Sequence, residues 1–583
     1  MKNCHHIVRR STRQGTRPRF GRSALVAPLM LLASFAACSV EPDAGLDTTS
    51  SDAAKDPDAG AHDVGYFRAD VSSPDAAPWP TATDASLPSC EPWSDAWALP
   101  DLTMPDATGP TGVLTLVPTA PLQPIGHEET VTVTVLGASG ELDFKSKGTL
   151  KLKASAGVTI VQAEPLAVGH AKVRVKLTKP GPQTLSASLP DGRSGQLRLW
   201  GFAPQLPVWR IDVTPADLAK LYATPKEEVW VPMTLTIDDA SHTGKMRLHG
   251  GSSKTFPKKS FRLNLDTDQP LADGRRKLIL RAEYADKTLI RNFAAYDLLR
   301  HATWLPAART AHVHVRLGAS YHGVALHPDR VDSFFLADNG LNGKGSLYEA
   351  DPPFAKSAPG GNLTVPTPTI AYDEIYQHHE GKEKFADLIE LIEVVLRLSD
   401  AEFAANADRV IKVDDVLAYL AFSTVIQNQD WVRKNYYLYR DPTAHDSRWS
   451  ILAWDLDLTF GHLWTKENDV LEEQIFSDGS PYVGTYDGHE FFNQLVDRLL
   501  WVKRFRKRYR SFIQHLLDDK FSRAFLDPRI DNALCRMQPD LLADSAKRAS
   551  NAELMPRVQE VRDFITARRA WLKTWLSEPD ALD

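Results

Sequence analysis

The feature that most restricts this chain lies well past its midpoint. Asp414-Asp415-Val416-Leu417-Ala418-Tyr419-Leu420-Ala421-Phe422-Ser423-Thr424-Val425-Ile426 opens on two acids and is then apolar nearly all round, so it reads as a helix buried on every side. It runs into Gln427-Asn428-Gln429-Asp430-Trp431-Val432-Arg433-Lys434-Asn435 and then a strand, Tyr436-Tyr437-Leu438-Tyr439-Arg440. After a polar turn a second strand, Trp449-Ser450-Ile451-Leu452-Ala453-Trp454, ends in Asp455-Leu456-Asp457. A hairpin returns its exit to its entry, so Asp430, Asn435 and Asp455 are expected to converge on one spot.

A second constellation precedes it. Strand-like Lys245-Met246-Arg247-Leu248 leads into His249-Gly250-Gly251-Ser252-Ser253-Lys254 and then Pro257-Lys258-Lys259-Ser260-Phe261-Arg262-Leu263-Asn264-Leu265. A Gly/Ser loop between strands, with lysines opening the second, can set backbone N–H groups and an ammonium around a phosphate. Strand alternation places Lys259 with Phe261, Leu263 and Leu265, so Lys259 is expected inward and Lys258 outward.

The buried helix, the Asp-x-x-x-x-Asn loop, the hairpin and the acid at its exit resemble the catalytic centre of protein kinases. There the first Asp takes the acceptor proton while Asn and a later Asp hold Mg²⁺ on the phosphates. His-Arg-Asp, Asp-Phe-Gly, Gly-x-Gly-x-x-Gly and Ala-Pro-Glu are all missing. The wording instead resembles the CotH family of atypical kinases in five blocks: Arg247 to Ser253 with Pro257 to Phe261; Asp286-Lys287-Thr288-Leu289-Ile290-Arg291-Asn292; Tyr321-His322-Gly323-Val324; Asn428 to Trp431 through Asn435 to Tyr439; and Trp454 to Asp457 through Phe460-Gly461.

The resemblance implies an α+β fold, an atypical kinase-like two-lobed domain over 206–575. It also implies ATP-dependent phosphoryl transfer to protein hydroxyls with Mg²⁺ or Mn²⁺. Carried over, Asp430 orients or deprotonates the acceptor, Asn435 and Asp455 bind metal, and Asp457 is a second acidic ligand. Lys259, with Gly250, Gly251, Ser252 and Ser253, faces the nucleotide phosphates. Asp286 and Arg291 are read as structural or as supports of the nucleotide site, with Asp286 a candidate partner for a lysine. Two departures stand out. The places of an aromatic residue and a Glu after Tyr321-His322-Gly323 hold Ala325 and Asp329, and Leu347-Tyr348-Glu349 stands where the family tends to have Leu-Tyr-Lys. They keep open an alternative, a catalytically weak or inactive surface protein that retains the fold for binding or structure.

The rest of the chain is assigned by its change of character. Seven basic residues and no acid precede Ser23, and an apolar run from Ala24 ends in Ala36-Ala37-Cys38. This is a secretory signal, too short to span a membrane, and Cys after two alanines makes residues 1–38 resemble a lipoprotein signal with Cys38 lipidated. An ordinary signal peptide is the alternative. Residues 39–109 carry fourteen acids against two bases among Pro, Ala and Ser, the composition of a disordered stalk. Residues 110–203 alternate apolar and polar in about seven short runs separated by glycine and proline turns, which predicts a small Ig-like β-sandwich. Together these predict an exported protein, lipid-anchored to the bacterial envelope, whose partners are the membrane through Cys38 and a protein substrate on the cell surface or in the envelope.

Composition narrows the alternatives. With 43% apolar residues the chain is not disordered throughout, and four cysteines cannot staple a disulfide scaffold. Cys90 and Cys535 either pair in an oxidising compartment or remain separate thiols. The net charge of −6 speaks against nucleic acid, and the basic run Lys503 to Arg510 has apolar neighbours at helical spacing, so it reads as a solvated helix face. His312 and His314 make too small a set for zinc, and His378-His379-Glu380 reads as a solvated loop. Beyond Glu490 three or four helices are predicted, with breaks at Pro528, Pro539 and Pro556.

Overall fold

Period-two alternation of β-branched residues dominates residues 113–203. They form β1 (Val113–Val117), β2 (Leu122–Pro124), β3 (Glu128–Leu136), β4 (Lys151–Ala154), β5 (Val158–Ala163), β6 (His170–Leu177), β7 (Gly181–Ser188) and β8 (Ser194–Phe202). Two four-stranded sheets result, ordered β1-β3-β6-β5 and β2-β8-β7-β4. Val131, Val133, Val135, Val173 and Val175 from one meet Leu185, Ala187 and Leu199 from the other in a single core. The strand beyond the seven expected runs is β2, whose three residues pair in parallel with β8 and are too short to show alternation.

The computed structural model describes residues 113–118, 122–351, 361–364, 372–428, 430–431, 433–462, 484–486, 489–491 and 493–579. The expected signal, the stalk, Cys38 and Cys90 lie outside them. Cys535 is disulfide-bonded, and the other three cysteines of the chain fall outside the described residues.

A seven-stranded sheet follows, built from β9 (Val208–Asp212), β10 (Val231–Ile237), β11 (Ala240–Leu248), β12 (Phe261–Leu265), β13 (Lys277–Leu280), β14 (Thr310–Leu317) and β15 (Ser320–Pro328). Its order is β13-β12-β11-β10-β9-β14-β15. Neighbours run antiparallel except β9 and β14, which pair in parallel with His314 opposite Val208. Helix α1 (Pro215–Ala223) is capped by the Thr214 side chain, and α2 (Arg291–Ala302) separates β13 from β14.

The remaining elements are α3 (Ser333–Asp338), β16 (Ser346–Ala350), β17 (Tyr376–Glu380), α4 (Ala386–Arg397), α5 (Asp400–Val410), α6 (Val413–Ile426), β18 (Tyr436–Arg440), β19 (Ser450–Ala453), β20 (Gly484–Tyr486), β21 (His489–Phe491), α7 (Gln494–Trp501), α8 (Lys503–Asp518), α9 (Arg523–Ala543) and α10 (Asn551–Ser577). A small sheet ordered β17-β16-β18-β19 lies among helices, and α6, with no polar face, is buried in the largest core. The chain is α+β. Among the described residues no helix is long and apolar enough to cross a membrane.

Three expectations are corrected here. Pro528 and Pro539 lie inside α9 and Pro556 inside α10; each removes one backbone hydrogen bond, offset by burial of Leu526, Ile530, Leu554 and Val558 around them. His378 and His379 are strand residues of β17, and the His379 ring bonds Glu349 at 2.7 Å. The basic run is a helix, as read, but not one solvated face: Arg506 is buried and donates to the carbonyls of Leu500 and Trp501, while Arg508 pairs with Asp408.

Candidate functional site

The end of α6 sets the first part of the site. Gln427 takes a left-handed conformation, φ 54°, which stops the helix and turns the chain into the loop that carries Asp430. Asn435, also left-handed at φ 61°, starts the hairpin. Its amide donates to the Asp430 backbone oxygen and to Asp430 Oδ2, both at 2.9 Å. Lys434 Nζ reaches the same Oδ2 at 2.7 Å. Pairing of Tyr436 with Ala453 brings Trp454 and Asp455 back beside Asn435. Asp455 is a third left-handed residue, φ 55°. Such backbone strain in non-glycine residues concentrates at functional sites.

Two residues one turn apart on α2 hold the hairpin exit. The Asp455 N–H donates to the Tyr296 hydroxyl at 3.2 Å and the Leu456 N–H to Asn292 Oδ1 at 3.3 Å. The Asn292 amide in turn donates to Glu283 Oε1. Arg281 is the common partner of the acids: Nε donates to Glu283 Oε1 at 2.8 Å, and Nη2 lies 2.5 Å from Asp455 Oδ1 and 3.1 Å from Asp457 Oδ2.

The electrostatics are those of a crowded acidic centre. Burial, then repulsion from Asp455, pushes the Asp457 carboxyl well above the carboxylate range against the pull of Arg281. Burial also raises Glu283. Burial would deprotonate Lys434, but Asp430, Asp455 and Asp457 outweigh it and keep the ammonium above the usual lysine range.

The glycine-rich segment is shaped by Gly250, whose φ is 104° and where a Cβ would meet Ser253 Oγ at 2.0 Å. Ser252–Thr255 form a single 3₁₀ turn. The inward lysine is Lys258, not Lys259. Lys258 is buried and pairs with Asp544, whereas Lys259 Nζ donates to the Lys254 carbonyl at 2.8 Å and lies 5.9 Å from the Tyr222 ring. Lys259 does not follow strand alternation because β12 begins only at Phe261, so the residues before it follow no ladder. Cations do gather behind this loop. His249 is half-buried, and its pKa is driven down first by desolvation and then by Arg281, Arg262, Arg247 and Lys254.

Thus the structure brings Asp430, Asn435, Asp455 and Asp457 into one centre, and Arg281, which holds Asp455 and Asp457, also acts electrostatically on His249 at the start of the glycine-rich segment. Lys259 makes no contact with the acids among the described residues. Arg281, Glu283, Asn292 and Lys434 were missed. Arg281 and Glu283 stand two apart at a strand end, a same-face spacing that was the available signal. Asp286 takes Arg291, not a lysine, as partner at 2.6 Å, and accepts the Ile290 and Arg291 N–H groups that open α2. Of the two departures, Asp329 pairs with Arg309 and Glu349 with His379.

No three or more His, Cys, Asp and Glu residues are grouped to hold a metal by themselves among the described residues. Two carboxylates with an amide nearby suit a hard cation that keeps water and phosphate oxygens as its other ligands, as Mg²⁺ does.

These features describe an α+β domain built around a carboxylate-rich hairpin mouth. The chain belongs to the CotH kinase family, whose match, described as CotH kinase protein, spans residues 246–572. Inner spore coat protein H of Bacillus subtilis (strain 168) is 26% identical over 380 residues, covering 64% of this chain and 98% of that protein. The solved structure of LD transpeptidase LdtMt1 in complex with imipenem is 14% identical, covers 30% of this chain and 74% of its own, and has a TM-score of 0.14. At that score the likeness bears on neither fold nor function.

Proposed function

We propose that the chain is an ATP-dependent phosphotransferase acting on a hydroxyl of a surface or envelope protein, or on itself. The observation that carries this reading is the meeting of Asp430 and Asn435 beside Asp455 and Asp457. Asp430 is the catalytic residue: its carboxylate would take the acceptor hydroxyl proton as the oxygen attacks phosphorus. Asn435 and Lys434 orient that carboxylate. Asp455, Asp457 and Asn435 are the candidate ligands of Mg²⁺ or Mn²⁺, which when bound would neutralise phosphate charge. Gly250 to Ser253 and the cations behind them lie where phosphates would rest; Lys259, turned to a carbonyl, is left a peripheral part. Cys535 in a disulfide supports an oxidising, exported location, with anchoring through Cys38.

A radiolabelled-ATP assay tests the assignment. Asp430→Ala should abolish transfer and spare nucleotide binding, whereas Asp455→Ala should lose both transfer and metal-dependent binding. Unchanged transfer in both variants would refute it. A second reading, a binding protein without transfer, is favoured by Glu349, a carboxylate in place of lysine that is engaged by His379. Calorimetry with ATP and Mn²⁺ separates the two, since absence of binding heat would favour the second.

A further inference from the structure

Arg281 is held more firmly than a surface arginine. Its backbone N–H and C=O both bond Leu326 at 2.8 Å, so the side chain springs from a fixed point in the sheet. One guanidinium serves three acid side chains: Glu283, Asp455 and Asp457. It cannot satisfy all of their oxygens. Glu283 shows the shortfall directly, since its side chain is fully buried and its Oε2 has no hydrogen-bond partner. A buried polar oxygen without a partner is costly, so the centre can accept more positive charge than Arg281 brings.

A divalent cation would supply that charge, but it would need the oxygens that Nη2 already engages on Asp455 and Asp457. We propose that Arg281 is a built-in competitor for the metal site: its guanidinium holds the carboxylates together until a divalent cation takes them over, and then turns to the phosphate oxygens of the incoming nucleotide. This rests on the phosphotransferase reading. A planar guanidinium suits both partners, because the same N–H fork pairs with carboxylate and with phosphate. Arg281 also acts electrostatically on His249, which adjoins the glycine-rich segment.

The test is Mn²⁺ titration of the full chain without nucleotide, read by calorimetry and by melting temperature, with transfer measured separately. Arg281→Met should melt lower than the parent without metal, bind Mn²⁺ at least tenfold more tightly, and gain more in melting temperature as Mn²⁺ is added. Its transfer rate at saturating Mn²⁺ and ATP should fall at least tenfold. Arg281→Lys, which keeps a charge and protects the fold should the methionine variant fail, should bind Mn²⁺ with an affinity between the two. Mn²⁺ affinity no tighter in either variant than in the parent overturns the competitor role while leaving the phosphotransferase reading intact. Absence of Mn²⁺ binding in parent and variants alike overturns both.

Discussion

Two cations tie the seven-stranded sheet to distant parts of the chain, and they are provided for differently. Lys258 Nζ donates to Asp544 Oδ2 at 2.6 Å and to the Val324 carbonyl at 2.5 Å, and both side chains are fully buried. Every oxygen of Asp544 is used, because Oδ2 also accepts the Val324 N–H and Oδ1 those of Ala546 and Lys547. Arg281 is instead oversubscribed, with one charge spread over three acids and an oxygen of Glu283 left over. The first pair is complete in itself and can only hold structure. The second is incomplete, and an incomplete charged centre is where a ligand has something to contribute.

Breaking the complete pair should cost most. Lys258→Met leaves Asp544 buried without its cation, and a loss of ~3–5 kcal/mol in denaturant unfolding is expected, with no recovery on adding Mn²⁺. Removing an acid from the oversubscribed centre should act with the opposite sign. Asp457→Asn relieves repulsion and should raise stability at neutral pH in denaturant unfolding, while weakening Mn²⁺ binding.

The same change should alter the pH profile. Asp457 and Glu283 keep protons in the folded chain at pH values where the unfolded chain has lost them. The folded state therefore binds more protons above the ordinary carboxylate range, and stability falls as pH rises there. Thermal melting across pH should show this fall in the parent and a shallower one in Asp457→Asn. The smallest effect is expected at Gly250, which touches neither cation. Gly250→Ala should cost about 1 kcal/mol through its positive φ and the Ser253 contact, with Mn²⁺ affinity unchanged.

The same contrast marks what could be read in advance. Asp430, Asn435 and Asp455 were legible because a helix, a loop and a hairpin bring them together through local geometry alone. The strands of residues 113–203 were legible because valines and leucines alternate along them. Lys258 was misplaced because its orientation is set by Asp544, 286 residues away, and no strand period reaches it. Arg281 and Glu283 show a same-face spacing, but their link to Asp457 spans 176 residues and arises only once α2 has docked the hairpin. The prolines of α9 and α10 misled because packing overrode local preference.

The parallel joint in the large sheet has a consequence for how the molecule comes into being. β9 cannot find its partner β14 until roughly a hundred further residues have been made, and the Lys258 lock waits for Asp544 near the far end. Contacts so remote in sequence close slowly, because loop entropy must be overcome before they return any energy. A nascent chain stopping short of Thr310 would expose β9 as an open sheet edge. The order of synthesis therefore leaves the sheet that frames the glycine-rich segment as one of the last parts to be sealed, and early termination there should yield aggregating fragments in place of a smaller working domain.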